Sequence, residues 1–536
     1  MDWPSKPYVR DLEFRGYVEG LTYLDDNSQP LCHFFGGIPY ALPPVGANRW
    51  RRPRSLAPCF RYGTSVSPGK YTGNCGLCPQ PGFGEDLNEK SWDEDCLQTN
   101  IWIPAGDPPE GGWPVLVWIH GGFLQFGTPR DMDLRAMLRE TSCKAIVVTP
   151  AYRLNVFGFL ASPELASLNT EFATNLGFWD QRLAIEWTWQ NINYFGGNAS
   201  NITVGGYSAG SHSTFHQLAY DLGVPQSKSI IRRVLMLSNG PGMQPKSLDE
   251  VQEQFDELLK ALQIPTTLSP AERLEKLRSL DAKALIKATI GLQHHQFRAV
   301  TDGSFVRQGL MNELDSGVFA RKMRERNVKI IMGECSNEHF VYGQWHPPKN
   351  TLDSLFQRLQ ADYPLSACKA LVKHYYSDGK LPKNCKTWKD AFGHMYADIQ
   401  IHHLERGMAD ALVRHGAGDL LSRYRIEWRA KCCDKKWPKN WGATHGSDMA
   451  IWFWGNGEKL GAEEKRVVRE AFHDKLGRFL RGEDMHWGTE HPLHIRRLKP
   501  DGTVVCEADD RLERGLEVWK VLQHVGATGG SHKARL

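Results

Sequence analysis

The sequence contains no uninterrupted apolar stretch approaching the ~20 residues that a membrane-spanning helix needs, so membrane insertion is not expected. Its opening residues, Met1-Asp2-Trp3-Pro4-Ser5-Lys6-Pro7, lead into charged residues and lack the apolar run of a secretion signal. Net charge is also small. Against 61 acids stand 65 lysines and arginines, leaving +4, and no basic block interrupts the mixture. That excludes the electrostatic footprint of a nucleic-acid binder or a membrane-surface protein and points to a small-molecule partner. Cysteine is sparse, 12 in 536 residues, and scattered, which excludes a disulfide-built scaffold. Cys75-Gly76-Leu77-Cys78 has C-x-x-C spacing, but a zinc site needs a second ligand pair and a redox motif opens a helix. Gly73, Gly76 and Pro79 make this segment a loop. Neither a metal nor an organic cofactor is expected. Internal repeats and low-complexity tracts are missing as well.

What remains is an ordinary globular composition, 41% hydrophobic and 24% charged. The length suits several domains or one large α/β domain with insertions. Two β-rich runs, Gly16 to Leu24 and Cys32 to Tyr40, flank the turn-forming Asp25-Asp26-Asn27-Ser28. Short, continuously apolar runs follow: Pro114 to Ile119, Ala145 to Pro150, Ile202 to Gly206, Arg233 to Leu237 and Val328 to Met332. Such runs suit strands buried on both faces of a mostly parallel sheet. Between them, Asp180 to Asn191 carries Leu183, Ala184 and Trp187 on one helical face and stops at Phe195-Gly196-Gly197-Asn198. Residues 245 to 295 and 350 to 415 read as helix-rich insertions. Strand–helix–strand alternation predicts an α/β fold with a central sheet of eight or more strands. We expect one catalytic domain over residues 1–525 and a flexible tail over 526–536.

Gly206-Tyr207-Ser208-Ala209-Gly210 is G-x-S-x-G, set directly after a predicted strand and before a predicted helix, Ser211 to Leu222. In that context it reads as a nucleophile elbow of the α/β-hydrolase fold: a sharp strand-to-helix turn exposes the serine, and glycines are needed where no side chain fits. The same turn aims the Ala209 N–H at a developing oxyanion. Strand 114–119 ends in His120-Gly121-Gly122-Phe123, a turn of the kind that supplies further backbone donors.

At this point the chain resembles the type-B carboxylesterases, the family of cholinesterases and some fungal lipases. The likeness spans nearly the whole length. Phe35-Gly36-Gly37-Ile38-Pro39-Tyr40-Ala41-Leu42-Pro43-Pro44, Glu94-Asp95-Cys96-Leu97 with Asn100-Ile101-Trp102, Tyr152 to Gly158, and Phe195-Gly196-Gly197-Asn198 are similar to family segments in the same order. The resemblance implies oxyanion donors at Gly122, Phe123 and Ala209. Two departures stand out. Phe123 replaces the usual third glycine, crowding the acyl site or forcing a different backbone conformation. Tyr207 precedes the nucleophile where cholinesterases carry an acid, which weakens a choline-ester reading.

In this family the acid follows a strand and a glycine. Gly333-Glu334-Cys335-Ser336-Asn337-Glu338 reproduces the spacing, so the resemblance assigns the acid to Glu338, although Glu334 is equally suitable on chemistry alone. Gly442-Ala443-Thr444-His445-Gly446-Ser447-Asp448 resembles the histidine loop and makes His445 the base. The order Ser208, Glu338, His445 is that expected of the fold. His120 is read as a structural residue of the oxyanion turn. The resemblance also implies a disulfide between Cys78 and Cys96, closing a loop whose Glu85, Asp86, Glu89, Lys90, Asp93, Glu94 and Asp95 make it too polar for a lipase lid. Aromatics crowd the acid and base: Phe340, Tyr342 and Trp345, then Trp437, Trp441, Trp452 and Trp454. They read as pocket wall or as core packing.

The resulting expectation is a serine carboxylesterase that hydrolyses small to medium organic esters through an acyl-enzyme on Ser208. The same triad also suits acyl transfer to an alcohol or amine. A catalytically inactive interaction protein is the alternative from another class; such relatives lose the serine or histidine, and both are present here. The last three residues, Ala534-Arg535-Leu536, resemble a peroxisomal import tripeptide. Import receptor binding is thus a partner expectation, with cytoplasmic or peroxisomal residence.

Overall fold

The described residues of the computed structural model, 3–83 and 91–529, place thirteen strands in one sheet. Along the chain these are β1 (Ser5–Asp11), β2 (Tyr17–Leu24), β3 (Pro30–Pro39), β4 (Gly69–Lys70), β5 (Gln98–Pro104), β6 (Trp113–Ile119), β7 (Ile146–Pro150), β8 (Gly197–Tyr207), β9 (Ile231–Leu237), β10 (Lys329–Cys335), β11 (Leu421–Ile426), β12 (Ile495–Leu498) and β13 (Val504–Glu507). Their spatial order is β1-β2-β3-β5-β7-β6-β8-β9-β10-β11-β12-β13, with β4 beside β2. From β7 through β12 every neighbouring pair is parallel; the remaining pairs are antiparallel, apart from the short β4, which runs parallel to β2.

The continuous apolar runs have the role predicted from their lack of alternation. In β6, Val115, Val117 and Ile119 enter the core on one face, while Leu116 and Trp118 enter the core on the other. Period-two side-chain placement with both faces covered requires apolar residues at every position. The helices Leu176–Asn191 and Ala209–Asp221 flank β8 in sequence and pack on the sheet. The first of them begins earlier than Asp180. Insertions at 245–295 and 350–415 are helical as expected, with Gln252–Ala261, Pro270–Ser279 and Ala282–Ile290 in the first and Leu352–Gln360, Leu365–Tyr375, Trp388–Ala397 and His403–Arg414 in the second.

Two features differ from the sequence reading. β11, Leu421-Ser422-Arg423-Tyr424-Arg425-Ile426, carries two arginines and was not among the expected strands, yet all six residues are buried. The chain also stays packed beyond Gly526: the Ala527 carbonyl accepts from the Gln244 N–H at 2.7 Å, and Thr528 Oγ1 donates to the Trp519 carbonyl at 2.8 Å. Ala534-Arg535-Leu536 and four of the charged loop residues (Glu85, Asp86, Glu89, Lys90) lie outside the described residues. Among those described, no helix is long and apolar enough to cross a membrane.

Candidate active site

β8 ends at Tyr207 and a helix begins at Ala209, so Ser208 alone makes the turn, at φ 57° and ψ −125°. A non-glycine residue at positive φ costs of order 1–3 kcal/mol and persists only where its surroundings hold it. Two contacts hold it here. The Ser208 N–H donates to the Leu237 carbonyl at the end of β9, 2.9 Å away, and the flanking glycines permit a very close approach. A Cβ at Gly206 would lie 2.2 Å from the Gly210 carbonyl oxygen, and one at Gly210 would lie 2.0 Å from that of Ile119. The G-x-S-x-G spacing is therefore a packing requirement.

The acid and the base arrive on two loops fastened to each other. Asn337 and Thr444 form a parallel β-bridge; the Asn337 N–H donates to the Ala443 carbonyl at 3.0 Å, and Thr444 Oγ1 donates to the Asn337 carbonyl at 2.9 Å. The next residue on each loop is Glu338 or His445. Glu338 Oε2 lies 2.6 Å from His445 Nδ1, and His445 Nε2 lies 2.8 Å from Ser208 Oγ. The other carboxylate oxygen, Oε1, accepts the Cys335 N–H at 2.8 Å. All three side chains are buried. The line carboxylate–imidazole–hydroxyl has the geometry for general-base activation of the serine, with Glu338 fixing the tautomer that leaves Nε2 free to accept.

Glu334 is not part of this line. It lies among Arg406, Arg425 and His402, with oxygens at 2.8 and 2.9 Å from Arg406, 2.9 Å from Arg425 Nε and 2.6 Å from His402 Nδ1. Despite burial, the neighbouring Arg406, His402 and Arg425 hold its carboxyl well below the ordinary range.

The oxyanion turn stands beside the serine. Gly122 has φ 109° and Phe123 φ 57°, and neither N–H has an acceptor among the described residues. Ala209 is the first residue of its helix, where the N–H has no intrahelical partner. These three N–H groups are the ones that the sequence suggests as oxyanion donors. His120 keeps a structural place: Nδ1 lies 2.9 Å from the Gly121 carbonyl, the ring stacks on Tyr152 at 4.4 Å, and burial lowers its pKa to about 4.

Ser208, His445, Gly122 and Phe123 line a cavity of about 780 Å³ together with Phe83, Phe126, Trp437 and Trp441. The clustered aromatics divide between the two expected roles. Trp437 and Trp441 are pocket wall, and Phe340 stacks on Trp441 at 5.3 Å. Trp452 and Trp454 are core. Tyr342 and Trp345 pack around Phe123, whose ring stacks on Trp345 at 4.9 Å with 8° between planes. Cys78 and Cys96 are bonded, with Cα atoms 5.2 Å apart. Cys75, the other half of the C-x-x-C spacing, is a buried free thiol, its Sγ 3.1 Å from Asn100 Oδ1.

The histidine loop also carries Asp448 into the interior. Asp448 is fully buried; one oxygen accepts Ser238 Oγ–H at 3.1 Å and the other has no partner among the described residues. Burial and the nearby Glu338 carboxylate push its pKa up to about 7. An aspartate three residues beyond a loop histidine gives no sign of that burial in the sequence.

A mostly parallel sheet with a strained serine at the end of β8, and a buried glutamate–histidine line reaching it, defines a serine hydrolase of the α/β-hydrolase class. The comparisons agree. The Carboxylesterase family model matches residues 6–486, and the chain belongs to that family; it is a carboxylic-ester hydrolase. It is 44% identical to a carboxylic ester hydrolase of Gibberella moniliformis, over 98% of this chain and 99% of that protein. It is 39% identical to an uncharacterized esterase/lipase of Schizosaccharomyces pombe, over 97% and 98%. The crystal structure of Aspergillus niger EstA superposes with a TM-score of 0.76, covering 97% of this chain and 98% of that one at 20% identity, a likeness of fold.

Proposed function

We propose that the protein hydrolyses carboxylic esters of small to medium organic molecules through an acyl-enzyme on Ser208. The observation that carries this reading is the unbroken line from Glu338 through His445 to Ser208, at 2.6 and 2.8 Å, opening on the 780 Å³ cavity. His445 takes the Ser208 proton as Oγ attacks the ester carbon. The N–H groups of Gly122, Phe123 and Ala209 stabilise the oxyanion, and His445 then protonates the departing alcohol. Water repeats the sequence on the acyl-enzyme and releases the acid. Glu338 stabilises the imidazolium in both halves.

A fluorophosphonate probe tests the nucleophile, since only an activated serine labels. Ser208→Ala should abolish labelling and lower kcat on p-nitrophenyl esters by roughly 10⁴–10⁶-fold, with folding intact. His445→Ala should do nearly the same and Glu338→Gln somewhat less. Full activity of Ser208→Ala would end the proposal.

A further inference from the structure

The oxyanion turn has a shape that its residue types resist. The Gly122 carbonyl accepts the Gln125 N–H at 2.8 Å, closing a four-residue turn. Its two central residues, Phe123 and Leu124, have φ 57° and 66°. Positive φ at both centres is the signature of a type I′ turn, which glycine, asparagine and aspartate dominate because larger side chains there are strained. Such a turn persists only where surrounding contacts over-determine it. Its shape matters, because the N–H and C=O of a trans peptide point opposite ways. With the Gly122 carbonyl taken by the Gln125 and Phe126 N–H groups, at 2.8 and 3.0 Å, the Phe123 N–H is directed away from both. Relaxing Phe123 and Leu124 to negative φ would rebuild the turn and move that donor.

The contacts that hold the turn converge on one side chain. Gln125 is 1% exposed. Its Nε2 donates to the Phe123 carbonyl at 3.1 Å and to the Phe297 carbonyl at 2.6 Å. Its Oε1 accepts Asn155 Nδ2–H at 2.7 Å and the Phe297 N–H at 3.2 Å. A carboxamide offers two donors and two acceptor lone pairs, and all four are used. The Asn155 N–H in turn donates to the Leu124 carbonyl at 2.8 Å. Both carbonyls of the strained pair are thereby tied, one directly and one through Asn155. The anchor lies outside the turn: Phe297 follows the helix Ala282–Ile290, and Gln254 Nε2 holds the same loop at the Gln296 carbonyl, 3.0 Å away.

We propose that Gln125 is a positioning residue for ester hydrolysis, its carboxamide locking the strained Phe123–Leu124 turn so that the Phe123 N–H stays available to the oxyanion. This rests on the acyl-enzyme reading above. Gln125 acts through Phe123. A donor already in place costs no reorganisation when charge develops, whereas a turn free to relax must be reset for each oxyanion.

Gln125→Met keeps the length of the side chain and removes its four hydrogen bonds. Rates are referred to Ser208 titrated to completion with a fluorophosphonate, so loss of folded enzyme does not register. Acylation and deacylation both pass through an oxyanion, so kcat on p-nitrophenyl acetate should fall about 10–100-fold with KM within about twofold. An alkyl trifluoromethyl ketone reports the same defect at equilibrium. Ser208 Oγ adds to its carbonyl carbon, the hydroxyl proton passes to His445, and the carbonyl oxygen becomes an oxyanion. Its Ki should rise by the factor that kcat/KM falls, while the corresponding alcohol, which cannot add, binds as before. Phe123→Gly removes the strain that the clamp resists, so in that background Gln125→Met should cost less than about threefold. A kcat within twofold of the parent, an unchanged ketone Ki, or an equal cost in both backgrounds overturns the proposal. Should Gln125→Met fail to fold, Gln125→Asn keeps the amide but draws it back from both carbonyls; the same losses are expected, and the same results overturn the role. Absence of Ser208 labelling in the parent enzyme would instead refute the acyl-enzyme reading itself.

Discussion

At position 123 a benzyl side chain sits on a turn whose backbone faces the serine, at φ 57°. Left-handed backbone costs a residue of this kind about 1–2 kcal/mol. Stacking on Trp345 at 4.9 Å and the edge contact with Tyr342 at 5.5 Å offset it, since aromatic pairs contribute ~0.5–1.5 kcal/mol each beyond area burial. The ring therefore stays in the wall of the cavity that Ser208 also lines. Replacing it with glycine relieves the backbone and opens that wall. Phe123→Gly should raise kcat/KM for bulky acyl esters relative to acetate in a p-nitrophenyl chain-length series. An unchanged preference would place the acyl group elsewhere.

Among the elements, the pair β10–β11 shows how one strand serves two purposes. β10 carries Glu334 near its end and runs into the loop that presents Glu338. β11 lies parallel to it, with Glu334 opposite Arg425 in the register. Arg425 Nη2 reaches Asp509 at 2.7 Å and Arg423 Nη2 reaches the same carboxylate at 2.6 Å, while Arg406 bridges Glu334 and Asp509. Removing one partner of a buried ion pair costs about 3–5 kcal/mol, because the survivors are left uncompensated. Glu334→Gln should therefore lower stability by about that much in urea unfolding, yet the folded fraction should still label at Ser208. Loss of labelling in folded Glu334→Gln would make Glu334 the catalytic acid. Two glutamates four residues apart are equivalent as letters; the arginines of β11 separate their roles.

For the molecule as a whole, the parallel strands bring their carboxyl ends together at one edge, and there Ser208, Ser238 and the Glu338 loop meet the histidine loop. Open α/β sheets place their sites at this edge. Gathering these groups leaves Asp448 buried near Glu338 with its pKa pushed up to about 7. An unfolded aspartate ionises near pH ~3.9, so between about 4 and 7 the folded chain holds a proton that the unfolded chain has lost. The unfolded state binds fewer protons there, and stability from this group falls as pH rises through that window, levelling above it. Asp448→Asn should remove that slope. The variant should be more stable relative to the parent at pH 8 than at pH 5 in parallel thermal unfolding. An identical difference at both values would mean that Asp448 is ionised throughout.

Much of this was legible along the chain because the relevant physics is local. A serine between two close-packed glycines, apolar runs without alternation and a glycine-rich turn each state their geometry within a few residues. Their order then carried the fold and the candidate triad. The buried arginines of β11 were not legible: charges at alternate positions read as a solvated edge until a partner carboxylate arrives from another strand. The choice of Glu338 over Glu334 by contact and the split of the tryptophans between cavity and core have the same origin. Each depends on which distant group stands opposite, and only the packed sheet, with its loops bridged at Asn337 and Thr444, decides that.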